Sequence, residues 1–189
     1  MTITVRVPRD SAALAVGADR VAHRIAEVAA ARGIDIRLVR NSTRGLFWLE
    51  PLVEVTTSAG RVGYGPVEVD DIEAMFDAGF HLGRPHTKGM GLIDELPYLK
   101  RQERLTFARM GITDPLSLSD YEAHEGWSGL RRALAMPPAD IVQAVLDSGL
   151  RGRGGAAFPA GIKWKTVAAA AAAQKYIVCN ADEGDSGTY

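Results

Sequence analysis

With 189 residues, 47% of them apolar and 24% charged, the chain has an ordinary globular composition with room for one large or two small domains. A formal net charge of −1 gives no global basic field for nucleic acid, so any anion site must be local. No apolar run approaches the roughly 20 residues that cross a bilayer, and the opening MTITVRVPRDS lacks the apolar stretch of a secretory signal. The expected setting is therefore cytoplasmic, with neither a membrane nor a nucleic-acid partner. Cys179 is the single cysteine, which excludes internal disulfides and any cysteine-held iron–sulfur or zinc site made by these residues alone.

In chain order, TITVRV alternates as a strand, Asp10 or Ser11 can cap the next element, and residues 11–32 read as an alanine-rich helix stopped by Gly33. IDIRLVR is a second strand. LVEVTT, the turn SAGR and VGYGPV make a hairpin, and DDIEAMFDAGF is a short helix begun near Asp70 or Asp71. The order β-α-β-β-β-α predicts a small α/β layer over residues 1–80, of thioredoxin-like type. Residues 81–97, rich in Gly, Pro and His, read as a linker, with His81 and His86 as solvated loop residues rather than metal ligands. Residues 98–189 then form the second part. It starts with a charged helix, YLKRQERLTFARMG, and a capped segment, SLSDYEAHEGWSGLRRAL. After Pro137-Pro138 comes the amphipathic helix ADIVQAVLDS, with Gly149 as its stop signal. The tract TVAAAAAAQ reads as a spacer, KYIVCN as a buried strand with an inert thiol at Cys179, and NADEGDSGTY as a polar loop.

The stretch GLRGRGGAAFPAGIKW, residues 149–164, holds five glycines and three cationic side chains around Phe158. The local charge agrees: residues 151–189 hold 5 Lys+Arg against 3 Asp+Glu, while residues 1–150 hold 17 against 20. A Walker loop needs Gly-Lys-Ser/Thr in succession, and Gly161-Ile162-Lys163 breaks that spacing. A dinucleotide fingerprint, Gly152-x-Gly154-x-x-Ala157, should follow a strand and here follows a helix. There remains a flavin or nucleotide cradle in which bare glycine N–H groups approach phosphate or a flat ring, or a glycine-rich surface loop that binds nothing. Asn180, Asp182, Glu183 and Asp185 favour the cradle, because they follow a strand candidate and ligands of α/β sheets lie at the carboxyl ends of strands. Ser186 has no His within reach for nucleophilic catalysis.

SGLRGRGGAAFPAGIKW followed by VCNADEGDSGT resembles the flavin- and NADH-binding subunit of respiratory complex I and its soluble relatives, the diaphorase subunits of NAD-reducing hydrogenases and NAD-dependent formate dehydrogenases. The resemblance implies that residues 98–189 begin an FMN-binding α/β domain whose remainder, with a four-iron cluster on C-terminal cysteines, lies beyond Tyr189. It also implies that the N-terminal layer is a cluster-free ferredoxin relic. NSTRGLFWLEPLVEV resembles the two-iron ferredoxin partner at its Gly-x-Cys-x-x-Glu-Pro segment, with Leu46, Phe47 and Trp48 where a cysteine would stand. Together with RQERLTFARMGITDPLSLSDYEAHEG, this form looks most like the β subunit of the soluble molybdenum-dependent formate dehydrogenase.

Carried onto this sequence, the resemblance implies FMN and NAD as cofactors, with Gly152, Arg153, Gly154 and Gly155 as the glycine loop beside them. Phe158 becomes the ring under adenine and Lys163 a lysine near the flavin. Asn180, Asp182 and Glu183 become flavin-pocket residues, and Asp185 stands where relatives usually have a glutamate contacting NADH. Ala157 replaces a glycine and Ser186 a proline. The implied chemistry is reversible hydride transfer between NAD and FMN, with electrons passed on to clusters and no catalytic acid or base in this chain. The implied partners are a molybdenum-containing catalytic subunit and a two-iron ferredoxin-like small subunit. A hydrogenase diaphorase and a non-catalytic docking protein are the competing readings.

Overall fold

Alternation in the first strand decides which side of the sheet is buried. In β1 (Ile3–Arg6) Val5 is fully buried, and Thr4 and Arg6 take the opposite face. The structure, a computed structural model, describes residues 2–179. They fall into two compact units divided after His124.

In the first unit Asp10 caps α1 (Ser11–Ala15), its carboxylate accepting from the Ala13 N–H at 3.2 Å. The expected single helix is two, because Gly17 adopts φ +97 between α1 and α2 (Ala18–Ala31). Helix α2 buries Val21, Ile25, Val28 and Ala29, one apolar stripe at helical spacing. Gly33 follows its end at φ +64, as the stop signal predicts. Strand β2 (Ile36–Val39) runs parallel to β1, while β3 (Val53–Thr57) and β4 (Gly60–Tyr64) form the expected hairpin, β3 antiparallel to β1. Helix α3 (Ile72–Asp77) buries Ile72, Met75 and Phe76, and Asp71 and Glu68 cap the 3-10 turn leading into it. The sheet order is β2-β1-β3-β4-β5.

Strand β5 (Gly89–Leu92) corrects the linker expected at 81–97: this stretch adds an edge strand antiparallel to β4. Its glycines read as loop signals, yet Gly91 sits at φ +75, and Gly89 approaches the His86 carbonyl so closely that a Cβ would lie 3.0 Å away. His81 is not a solvated loop residue either. Its ring packs on Phe76 and Phe80, with Nδ1 buried and without a hydrogen-bond partner. The long charged helix is also absent. Only α4 (Pro97–Lys100) forms; the segment after it makes local turns and is tied to the layer at three points. The Asn41 amide donates to the Gly111 carbonyl (3.0 Å), Ser42 N–H to the Thr113 carbonyl (2.8 Å), and Arg104 to the Arg44 carbonyl (2.9 Å). Helix α5 (Leu118–Ala123) starts at the expected cap, with Ser117 Oγ accepting from Asp120 N–H at 3.1 Å. Residues 98–124 thus fold with the first unit, and the expected boundaries at 80 and 97 give way to one after His124.

The second unit contains α6 (Ser128–Leu134), α7 (Pro138–Asp147) and α8 (Ala160–Ala169). The alanine tract leaves helical geometry at Ala170. KYIVCN is a further correction: residues 175–179 form no strand, Ile177 is 98% exposed, and Cys179 is exposed. A strand becomes buried by pairing, and among the described residues none pairs with it.

Both faces of β3 are covered. Val53 and Val55 join the helix-side core, and Glu54 is 1% exposed on the other face. There Arg44 grips it with Nε at 2.6 Å and Nη2 at 2.9 Å, while Arg44 Nη1 reaches Asp94 at 2.9 Å and Arg61 stands 3.4 Å from the same Glu54 carboxylate. Burial opposes the Arg44 charge, but bonding to Glu54 outweighs it and raises the pKa. Replacing Arg44 with Ala would leave a buried carboxylate without its main partner. We expect a loss of about 3–5 kcal/mol in denaturant titrations, most of it recovered when Glu54→Leu is added to Arg44→Met; equal losses in the two variants would contradict this.

Glu50 is a second buried carboxyl, accepting from Thr43 Oγ1–H at 2.6 Å and Leu52 N–H at 2.8 Å. Burial pushes its pKa up to about 7, against those two bonds, which lower it. A raised folded pKa gives stability that is complete below the unfolded value and is lost as pH rises through the folded one. Stability should therefore fall by about 3 kcal/mol between pH 4.5 and about 7 through this group. Glu50→Gln should flatten that part of a stability–pH curve, and an unchanged slope would assign it to other groups.

Candidate functional site

The five glycines of residues 149–164 do different jobs. Gly149, at φ +66, follows the end of α7 as a helix stop. Beyond it the chain closes on itself. Gly152 N–H donates to the Phe158 carbonyl at 2.8 Å and Ala160 N–H to the Leu150 carbonyl at 2.8 Å, with a bridge between Arg151 and Pro159. Arg151 Nε donates across the loop to the Ala157 carbonyl (2.6 Å), and Arg153 Nη1 donates back to the Arg151 carbonyl (2.9 Å). At the tip, a Cβ added to Gly154 or Gly155 would meet nothing within 4 Å. That backbone is open to an approaching group.

Gly161 belongs to packing rather than to the loop. A Cβ there would lie 2.6 Å from Leu146 Cα, so the glycine lets α8 press directly on α7. Sequence spacing gives no hint of this, because Leu146 lies on the preceding helix. Phe158 is 45% exposed, with Lys163 Nζ 5.6 Å from its ring centroid, a cation–π distance. Among the described residues no carboxylate is ion-paired with Arg151, Arg153 or Lys163. The structure therefore brings Gly152, Arg153, Gly154, Gly155, Phe158 and Lys163 onto one loop and the helix it enters. Asn180, Asp182, Glu183, Asp185 and Ser186 lie outside the described residues.

Ala157 sits at φ +50, a left-handed conformation that strains a side chain and suits glycine. A side chain at this position is thus felt in the backbone and not only as an added methyl. The arrangement offers bare peptide, two guanidinium groups and an aromatic face on one exposed loop. Those are the donors for a phosphate-bearing ligand with a flat ring.

Residues 145–189 match the Nuo51 FMN-binding domain family. The chain is 54% identical over 86 residues to the NADP-reducing hydrogenase subunit HndC of Solidesulfovibrio fructosivorans, covering 46% of this chain and 18% of that protein. Over 72 residues it is 51% identical to an NADH-quinone oxidoreductase subunit of Streptomyces coelicolor, covering 38% and 16%. Over 60 residues it is 47% identical to the NAD-reducing hydrogenase HoxS subunit alpha of Cupriavidus necator, covering 32% and 10%. The matched stretches span less than a fifth of each relative's length. Among solved structures, a chain of an NAD+-reducing [NiFe]-hydrogenase in the air-oxidized state is similar over 86% of this chain and 27% of that one, with TM-score 0.35 and 20% identity. That likeness is too loose to carry an argument. Among the described residues no cluster of His, Cys, Asp and Glu is placed to hold a metal ion, and no helix is long and apolar enough to cross a membrane.

Two substitutions should move stability in opposite directions. Ala157→Gly relieves the left-handed strain and is expected to stabilise by up to about 1 kcal/mol. Gly161→Ala forces α7 and α8 apart and is expected to cost about 1–3 kcal/mol. Urea midpoints of the two variants check both, and a neutral Gly161→Ala would show that the helix contact yields freely.

Proposed function

We propose that this chain supplies the FMN- and NADH-binding segment of a diaphorase, the part of an NAD-linked electron-transfer assembly where hydride passes between nicotinamide and flavin. The observation that carries the reading is the glycine loop itself, a self-closed turn with open backbone at Gly154 and Gly155 inside the stretch that matches the FMN-binding family. The residues present fit the group. Gly152 to Gly155 allow close approach of a flat or phosphorylated ligand, Arg153 and Lys163 balance its charge, and the exposed Phe158 ring offers a stacking face for adenine. Asn180, Asp182 and Glu183 are proposed to line the flavin, and Asp185 to contact NADH. FMN, when bound, accepts a hydride and releases electrons singly. The chain's own part is to hold the reactants against each other and exclude water, which requires no protein acid or base.

The relatives named above favour a hydrogenase or NADH dehydrogenase assembly as the setting. A second reading, the formate dehydrogenase β subunit with a molybdenum-containing partner, rests on the resemblance of residues 101–126 and of the N-terminal layer. In either setting we read residues 1–80, within the first unit, as a thioredoxin-like, cluster-free ferredoxin relic that docks partners. Supporting this are the parallel β1–β2 pair followed by antiparallel β3 and β4, and Leu46, Phe47 and Trp48 where a ferredoxin would have cysteine. Leu46 is buried beside Leu52 and Ile93, a hydrophobic patch in place of ligands.

In the native assembly, Gly154→Val should fold, since a Cβ at 154 meets open space, yet lose FMN and NADH-dependent reduction of an artificial acceptor. Phe158→Ala should keep FMN and raise KM for NADH by about tenfold. Full flavin content with normal turnover in Gly154→Val would sink the proposal. Supplying either hydrogen or formate with NAD+ under anaerobic conditions and following NADH absorbance separates the two settings.

A further inference from the structure

The sheet face opposite the helices carries a cationic pocket that the diaphorase reading does not use. Strand pairing puts Thr4 and Arg6 of β1, Arg37 of β2 and Arg61 of β4 on this one face. Together with Asp120 and His124 they line a cavity of about 210 Å³. Three guanidinium groups therefore meet one carboxylate. That carboxylate is already engaged: Asp120 accepts from the Asp114 N–H at 2.7 Å and lies 3.3 Å from His124 Nδ1.

The arginines have little to neutralise them. Arg61 donates to the Gly111 carbonyl at 2.7 Å and shares Glu54 with Arg44, which holds that carboxylate more closely. Arg6 donates to the Thr56 hydroxyl. Among the described residues, neither Arg6 nor Arg37 lies within ion-pair distance of a carboxylate. Burial depresses the Arg6 pKa, and the charges of Arg61, Arg44 and Arg37 depress it further against the single upward pull of Glu54. An excess of positive charge around a half-buried guanidinium opposes folding unless an anion answers it.

We propose that this pocket binds a small phosphate dianion, either inorganic phosphate or a compact phosphate monoester. Guanidinium forks match phosphate oxygens two at a time, which favours phosphate over a spherical anion. The volume is below the usual range for cofactor pockets, which favours a compact anion over a whole nucleotide.

The test is calorimetric titration of the full chain with inorganic phosphate and, separately, methyl phosphate, at constant ionic strength. Saturable binding of one phosphate is expected, weakened about tenfold by Arg37→Gln and at least as much by Arg6→Gln. Arg37 is exposed, so its variant should keep the fold, with an unchanged melting temperature in phosphate-free buffer. Tighter binding of methyl phosphate would identify a monoester as the ligand, and equal or weaker binding would identify inorganic phosphate. Absence of saturable binding at millimolar phosphate overturns the proposal. So does binding that survives Arg37→Gln but is lost in Arg151→Gln/Arg153→Gln, which would move the anion to the glycine loop.

Discussion

The first unit is organised around the Arg44 guanidinium. Its side chain leaves the loop after β2, closes on Glu54 near the start of β3, and extends to Asp94 beyond β5. Its own carbonyl receives Arg104, and its Cγ would lie 2.4 Å from a Cβ on Gly111, so only a glycine fits where the segment after α4 crosses it. Four pieces of chain therefore meet on one residue, two of them on its charge and two on its carbonyl and methylene stem. Burying such a pair contributes little net stability, since desolvation opposes the attraction. Its effect is to penalise every arrangement in which one partner is left alone, and so it fixes the Arg44 residue on whose carbonyl and stem Arg104 and Gly111 settle. Residues 104–113 carry few apolar side chains into the core, and the hydrogen bonds from Asn41, Ser42 and Arg61 to the backbone at Gly111 and Thr113 follow the same logic.

The legible and illegible parts of the sequence divide along this line. Elements specified by local chemistry can be read directly. Asp10 and Ser117 announce helix starts, Gly33 and Gly149 helix ends, and the strand-like runs TITVRV, IDIRLVR, LVEVTT and VGYGPV mark the first four strands in order. Elements specified by contacts distant in sequence cannot. The pattern Gly-Met-Gly-Leu at 89–92 has the alternation of an edge strand, but its glycines carry the signature of a loop, and only pairing with β4 decides between them. The charged run 98–111 has helix-forming composition, yet after Lys100 its backbone makes short local turns and at Gly111 bonds to Asn41, Ser42 and Arg61, an outcome that no local propensity encodes. Glu54 sits in a strand like any solvated acid would, and nothing near it in sequence marks it as fully buried.

The glycine segment shows the same division at smaller scale. Composition makes it a single feature, five glycines with cations, and suggests one job for all of them. The structure separates a helix stop at Gly149, a bridge position at Gly152, an open tip at Gly154 and Gly155, and a helix contact at Gly161. Only the tip is free of a structural duty, so a ligand-facing role is best argued there. Arg151 likewise reads as a charge for an anion but serves first as a strut across the loop to Ala157.

That strut bears on how the loop would meet a ligand. A glycine-rich turn left to itself would lose much conformational freedom on binding, which subtracts directly from affinity. Here the ends are joined by the 152–158 and 150–160 hydrogen bonds, and both arginines brace the interior through backbone carbonyls. The ordering cost is thus largely met in folding. The left-handed Ala157 is held in its strained conformation by those same bonds, so the bracing that shapes the loop also supports the strain within it. A loop built this way fixes the two flanks of the bare peptide at Gly154 and Gly155, which leaves only the tip itself to be ordered by whatever approaches it.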